Sequence, residues 1–251
     1  MIDVHCHLEQ SDYDSDRDQV IEECKKKMKA IITCCAHPKY FDLTLQLVEK
    51  YKGFVFCTIG IHPEYIRRIN ESDKDNFLEL IKQNREKICS IGETGLDYFE
   101  VKEAEWQTKQ RELFIELINF AKELKKPLVI HARNAYDEVI RILEQANAKQ
   151  VLMHMFGDNH LVKRVIENGW WVSMNTIVLR SKKHKKVVRD MPLEKLMLET
   201  DSPWLGLEGK RNNPTSIKIV AEKIAEIKKL SFEEVWNTCG KNTIEFFNLV
   251  F

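Results

Sequence analysis

No two of the seven cysteines form a C-x-x-C pair, so neither a zinc knuckle nor a thioredoxin-type redox pair is available. Seven is also an odd number. Cys34, Cys35 and Cys57 lie inside apolar runs (AIITCCA, FVFCTIG), where a thiol behaves as a small hydrophobe. A disulfide scaffold is thereby excluded, and a reducing, cytoplasmic location is expected. Glycine (9) and proline (6) are few and scattered, and no Ser/Gly- or Pro-rich tract marks a linker, so residues 1–251 are expected to form a single domain. No apolar run approaches the roughly 20 residues of a membrane span. The opening IDVHCHL has no basic segment followed by an apolar stretch, so neither a leader nor a membrane role is expected. Charge of one sign is lacking too. Lys+Arg and Asp+Glu are both 39, which excludes a sequence-independent DNA coat and leaves room only for a local basic patch.

What is present is enough for a sizeable core, since 43% of residues are hydrophobic and 31% charged. Short apolar runs recur at 2–4, 30–36, 54–59, 88–91, 127–130, 151–153, 170–174 and 195–198. Continuous rather than alternating apolarity is the pattern of parallel strands covered on both faces. Helical patterns separate them. The clearest is 104–124, with Trp106, Leu113, Phe114, Leu117, Ile118, Ala121 and Leu124 at three- and four-residue steps. Others are 41–51, 75–86, 135–146, 161–168 and 214–229; a capping box, Ser231 with Glu234, opens a further helix, and 242–249 closes the chain. Eight such units in this length are about 31 residues each, the size of a βα repeat. The expected fold is an α/β chain in a (β/α)8 TIM barrel, with its site at the C-terminal ends of the strands. A doubly wound open sheet is the alternative, weakened because no glycine-rich phosphate loop follows the first run.

A barrel should gather catalytic residues at the strand ends of one face. His5 and His7 close the first run, and at i and i+2 their imidazoles share a face, leaving Cys6 on the other. His62 follows the third run, Glu93 the fourth, His131 the fifth, His154 the sixth and Asp201 the eighth. Singly, each reads as a packed or capping residue. Together, four imidazoles (His5, His7, His131 and His154) and the carboxylates Glu93 and Asp201 exceed one tetrahedral site and suffice for two divalent cations sharing a carboxylate. Nitrogen and oxygen donors favour Mg, Mn or Zn, with Co and Fe also suited. His37, His160 and His184 are set apart as non-catalytic, although His37 follows the second run and could line the mouth. Lys25–Lys29 reads as a solvated face. The run 180–189 (RSKKHKKVVR) reads most simply as a solvated loop or helix, but it follows the seventh strand and could reach the active face, where it would suit phosphate. Arg133 and Arg211 are better placed, and arginines beside a metal centre point to an anionic substrate.

These residues resemble those of the TatD family of metal-dependent deoxyribonucleases, within the amidohydrolase-like barrels. The resemblance rests on IDVHCHL at 2–8, GIHP at 60–63, IGETGLDYF at 91–99, PLVIHARNA at 127–135, LETDSPWL at 198–205 and RNNP at 211–214, in the family's order across nearly the whole chain. It implies that the metal ligands are His5, His7, Glu93, His131, His154 and Asp201. It further implies hydrolysis of phosphodiester bonds, typically as a 3′-to-5′ exonuclease on DNA with single-stranded ends, with RNA as a second substrate and DNA repair as a setting. One cation would be held by His5, His7, Glu93 and Asp201, and the other by Glu93, His131 and His154, with Glu93 bridging. Asp201 would take the proton of the attacking water. His62, Arg133 and Arg211 would hold phosphate oxygens. No obligate protein partner is expected. The chain departs from the family at Met155 and Gly157, where H-C-F-S-G is usual, at Asn134 after the H-x-R arginine, and at Asn213 in place of the glutamate of N-E-P. These changes spare the ligands and fall in loops around the mouth. The rival enzyme class is an amidohydrolase cleaving C–N or ester bonds with the same ligands; a lysine is its usual bridge, where this chain has Glu93. A second rival is a binding scaffold with a vestigial site.

Overall fold

The computed structural model describes residues 1–251. Eight parallel strands alternate with helices in the order β1 Ile2–Cys6, α1 Arg17–Lys25, β2 Ala30–Cys35, α2 Phe41–Lys50, β3 Val55–Ile59, α3 Glu71–Gln83, β4 Ser90–Asp97, α4 Ala104–Leu124, β5 Leu128–Arg133, α5 Tyr136–Gln145, β6 Val151–Met153, α6 Val162–Glu167, β7 Trp171–Met174, α7 Lys182–Asp190, β8 Leu196–Leu198, α8 Ile217–Lys228 and α9 Phe232–Phe247. Each strand pairs with the next, from β1 through β8, giving a (β/α)8 barrel rather than an open doubly wound sheet.

The barrel buries two kinds of apolar surface. Outward-facing strand residues pack under the helices. A separate cluster of Ile2, Val4, Ala30, Ile32, Val129, Leu152 and Met197 fills the inside of the lower barrel, and Phe246, Phe247 and Leu249 close it from below. Above this apolar plug the interior is polar. That explains why β1, β4 and β5 run past their apolar stretches to Cys6, Asp97 and Arg133: their upper residues face the mouth, so hydrophobicity stops before the strand does.

Two register shifts govern what faces inward. In β1 the shift lies between Asp3 and Cys6, and in β4 between Ile91 and Thr94. Strict alternation from the inward Ile2 and Val4 would send His5 outward; the irregularity in β1 turns His5 and His7 into the barrel instead. The shift in β4 does the same for Glu93. β4 also lies unusually close to β5. A Cβ on Gly95, at φ +146°, would meet the His131 carbonyl oxygen at 1.9 Å, so only glycine lets the two strands approach there.

No ladder joins β8 to β1. The seam is closed by the segment after β8, where Asp201 N donates to the His5 carbonyl (2.9 Å) and His7 N donates to the Ser202 carbonyl (2.7 Å). The buried Asp3 carboxyl clasps the same segment, accepting from Thr200 N (3.0 Å) and Thr200 Oγ1 (2.5 Å).

Two helices differ from the sequence expectation. α9 is one helix that runs without a break through Gly240 rather than two. α3 begins at Glu71, four residues earlier than its apolar pattern, because the Asn70 side chain accepts from Asp73 N and caps it. No helix is long and apolar enough to cross a membrane.

Candidate metal centre

His5 rises from β1, Glu93 from β4 and His131 from β5, while His7 and His154 directly follow β1 and β6 and Asp201 lies three residues past β8. The structure brings all six into one cluster. His5 Nε2 is 3.1 Å from His7 Nε2, 3.3 Å from Glu93 Oε2 and 3.7 Å from Asp201 Oδ1. His7 Nε2 is 3.5 Å from Asp201 Oδ1. On the other side, His131 Nδ1 is 2.7 Å and His154 Nε2 is 3.7 Å from Glu93 Oε1. Glu93 thus touches imidazoles on both flanks. His5, His7 and Glu93 form one potential ligand set, and Glu93, His131 and His154 another. All these side chains are almost fully buried except those of His131 and Asp201, which are slightly more open to the cleft.

The far nitrogens of three rings are anchored. His7 Nδ1 donates to the Cys34 carbonyl (2.9 Å) and lies 3.2 Å from Glu9. His154 Nδ1 donates to Glu199 Oε2 (2.8 Å), and His131 Nε2 donates to Asp97 Oδ2 (3.0 Å). With their protons fixed there, the nitrogens that converge on Glu93 and Asp201 are bare lone pairs facing carboxylate oxygens. Acceptor against acceptor at this range repels unless a proton or a cation lies between. The donor set therefore fits divalent metal, in the carboxylate–histidine–metal arrangement. In the absence of a cation, protons serve. Burial alone would lower His131 and His154, but the hydrogen bonds that His131 donates to Asp97 and Glu93 raise it to about 9, and the carboxylates of Glu199 and Glu93 raise His154 to about 10. Burial opposes ionisation of Glu93, yet the surrounding imidazoles hold its carboxyl well below the usual range. His5 differs: its Nδ1 is buried without a partner, and burial lowers its basicity.

The cluster floors a cleft of about 350 Å³ whose wall includes His62, Tyr65, Asp97, Arg133, Met155 and Trp204. His62 Nδ1 accepts from Glu64 N (3.2 Å), which leaves its Nε2–H pointing at Glu93 (3.6 Å). Burial depresses His62 to about 3, so it is a neutral donor. Arg133 lies at the rim, stacked 3.8 Å over Phe99 and paired with Glu100 (3.0 Å). Arg211 is not brought to the cleft. Its guanidinium is engaged by Asp16 (2.9 Å) and packs 4.6 Å over Tyr13, which corrects its expected place beside the substrate. No lysine lines the cleft. His37 caps the turn before α2, His160 is exposed, and His184 packs against the Met155 carbonyl; none of the three reaches the cluster.

Sequence reasoning missed the supporting carboxylates Glu9, Asp97 and Glu199. Their signal was available: Glu9 continues the two-residue step of His5 and His7, Glu199 stands two before Asp201, and Asp97 four after Glu93. Trp204, exposed at the rim with its ring 4.6 Å from that of His7, was also overlooked.

Known proteins resemble the chain along nearly its whole length. The family model for TatD related DNases matches residues 2–248. The human protein described as deoxyribonuclease TATDN3 is 35% identical over 258 residues, covering 98% of this chain and 94% of that one. An uncharacterized metal-dependent hydrolase of Methanocaldococcus jannaschii is 36% identical, covering 98% of this chain and 96% of that one. Among solved structures, the TatD homolog YJJV of Escherichia coli superposes with a TM-score of 0.91 at 23% identity, covering 100% of this chain and 98% of that one; this likeness speaks to the fold.

Proposed function

The chain belongs to the TatD family of metal-dependent deoxyribonucleases, and from that premise we propose that it removes nucleotides from the 3′ end of single-stranded DNA. The observation that carries this reading is Glu93, a carboxylate flanked by two imidazole pairs at the floor of a cleft. His5, His7, Glu93 and Asp201 would hold one divalent cation, and Glu93, His131 and His154 the other; Mg, Mn and Zn all suit these donors. Cations held there supply Lewis acidity, bringing the pKa of water toward 7 and neutralising phosphate charge.

The chain's own groups do the rest. Asp201 is the least buried of the carboxylates in the cluster and sits where it can accept the proton of the attacking water. His62 Nε2–H is positioned to donate to a phosphate oxygen without adding charge of its own. Arg133 can swing from the exposed Glu100 to a second oxygen, since that ion pair is worth little in water. A cleft of about 350 Å³ admits one nucleotide and its phosphate, not a duplex, which favours a flexible end.

Turnover of a linear single-stranded oligonucleotide and of its covalently closed circle, each with and without EDTA, tests the reading. The linear form should be degraded from its 3′ end and only with metal, and the circle should persist. Equal cleavage of the circle overturns the end-directed reading. Hydrolysis of amides or lactones without phosphodiester activity would move the chain to the amidohydrolase class, which the absence of a lining lysine disfavours. Arg133→Ala should lower kcat/KM by the equivalent of about 2–4 kcal/mol and leave metal content unchanged.

A further inference from the structure

The cleft accounts for one or two phosphates, yet the basic run of 180–189 is not absorbed by it. The run folds as α7, capped by the Ser181 side chain. Val187 and Val188 are buried, while Arg180, Lys182, Lys183 and Lys186 are exposed and Lys185 half-buried. Arg189 pairs with Asp190, but none of the other five cations has a carboxylate partner. Position, not the lack of partners alone, sets the run apart in this chain, because Lys122, Lys125, Lys126 and Lys149 at the opposite end of the barrel also lack carboxylate partners. Elsewhere its cations are commonly paired across its surface, as in Lys74–Glu116, Lys82–Glu123, Lys87–Glu49 and Arg164–Glu144. A protein with no net charge has therefore left five positive charges unmatched within seven residues.

Their position is defined. α7 follows β7 and so starts at the same end of the barrel as the metal centre. It is docked there by His184, whose Nε2 is 3.4 Å from the carbonyl of Met155, a residue of the cleft wall. Gly157 makes room for that ring, since a Cβ there would lie 2.6 Å from His184 Nε2. The helix carries no exposed large apolar side chain, so it lacks what a membrane-surface helix inserts.

We propose that α7 is a docking track for the backbone of a single-stranded nucleic acid whose end occupies the cleft, with Arg180, Lys182, Lys183 and Lys186 neutralising phosphates several nucleotides from the cleaved one. The inference rests on the reading of the cleft as a nuclease site. It means that substrate length, rather than base identity, sets affinity, because contacts to phosphate carry no sequence information.

Binding of a fluorescein-labelled 12-nucleotide oligothymidylate to the full chain, followed by anisotropy in EDTA between 50 and 200 mM salt, is the test. Lys182→Gln/Lys183→Gln/Lys186→Gln should weaken binding at least about tenfold and flatten the log–log salt dependence by about 2, the value for three single-strand phosphate contacts. A second triple variant, Lys125→Gln/Lys126→Gln/Lys149→Gln, removes the same charge from the opposite end of the barrel, where these lysines precede β5 and β6, and should bind as the unmodified chain does. Turnover of a dinucleotide with metal present should be the same in all three proteins. Equal weakening by both triple variants, or an unchanged salt slope in the α7 variant, overturns the proposal. So does competition by a polyglutamate peptide as effective as that by unlabelled oligonucleotide. Because binding is read without metal, the track can be refuted while the cleft is not; failure to hydrolyse the dinucleotide would instead refute the reading of the cleft.

Discussion

The two halves of the candidate metal centre are built differently. One half, His131 and His154 with Glu93 at the register shift of β4, stands on the β4–β5–β6 sheet, where β4 and β5 regain register from Thr94–Ile130 to Asp97–Arg133. Both of its histidines have the far nitrogen gripped by a carboxylate, Asp97 or Glu199. The other half, His5, His7 and Asp201, straddles the seam between β1 and β8, which no ladder spans. There His7 Nδ1 divides its bond between a backbone carbonyl and Glu9, and His5 Nδ1 has no partner. Asp201 itself sits at φ +55°, a conformation that few non-glycine residues adopt. A buried nitrogen left unpaired costs about 1–3 kcal/mol. Such strain is tolerated where the surroundings over-determine it and is typical of functional sites. The difference implies a preorganised ladder half and a seam half that depends on how well the barrel is closed.

The largest effect should come from the residue the halves share. Glu93→Gln keeps the shape and removes the charge. The seam half would retain Asp201, whereas the ladder half would be left with two neutral imidazoles. Turnover should fall by roughly 10³-fold or more, and metal titration should show the ladder-half cation lost first. Equal loss at both would break the distinction between the halves.

Next in size is pH. In the cation-free chain His131 (about 9) and His154 (about 10) both hold protons at pH 7, and His7 is also raised well above its usual value, burial being outweighed by Asp201 and Glu9. A cation must displace these protons. Affinity should therefore rise with pH, most steeply below about 9, and level only above about 10. The rise should approach about 100-fold per unit for the ladder half, which loses two protons, and about tenfold for the seam half, which loses one. Titration calorimetry in two buffers of different ionisation heat counts the protons released; equal counts for both cations would contradict the comparison.

The supporting carboxylates should matter less, and unequally. Glu199→Gln should weaken the ladder-half cation about 10–100-fold, the usual scale for such partners. Glu9→Gln should cost less at the seam half, because the Cys34 carbonyl still accepts from His7. A larger loss for Glu9→Gln would reverse the assignment of which anchor holds His7.

Much of this was legible in the sequence. The eight apolar runs marked the strands, and the residues just past them marked six of the groups in the cluster. The runs ended too early at β1, β4 and β5 because the upper barrel is polar by function. The register shifts in β1 and β4 were not legible. From Ile2 and Val4 alone, His5 belongs on the outer face, and only pairing with β2 reveals the change of parity. Arg211 was misplaced because proximity in sequence to Asp201 says nothing about Asp16, which lies almost two hundred positions away and claims its guanidinium. The run 180–189 reads from sequence as either a solvated face or a phosphate contact, and its cations lack carboxylate partners in the fold, which is compatible with both.

The smallest effect tests the seam itself. Asp3 touches no ligand side chain, yet its carboxyl accepts from His5 N (3.2 Å) and from both Thr200 donors, tying the start of one ligand-bearing segment to the other. Asp3→Ala removes these acceptors in a fully buried place and should lower stability by about 1–3 kcal/mol, a Tm change of only several degrees in a chain of this size. Asp3→Asn should do less, because burial already pushes the Asp3 carboxyl well up, toward the neutral form an amide imitates. The informative readout is metal affinity. If the seam half depends on closure, Asp3→Ala weakens the cation held by His5, His7 and Asp201 and leaves the His131–His154 side unchanged at a temperature where the chain is fully folded. Loss of both cations together would mean that the β1–β8 seam is as rigid as the β4–β5 ladder, and that the two halves differ in hydrogen bonding alone.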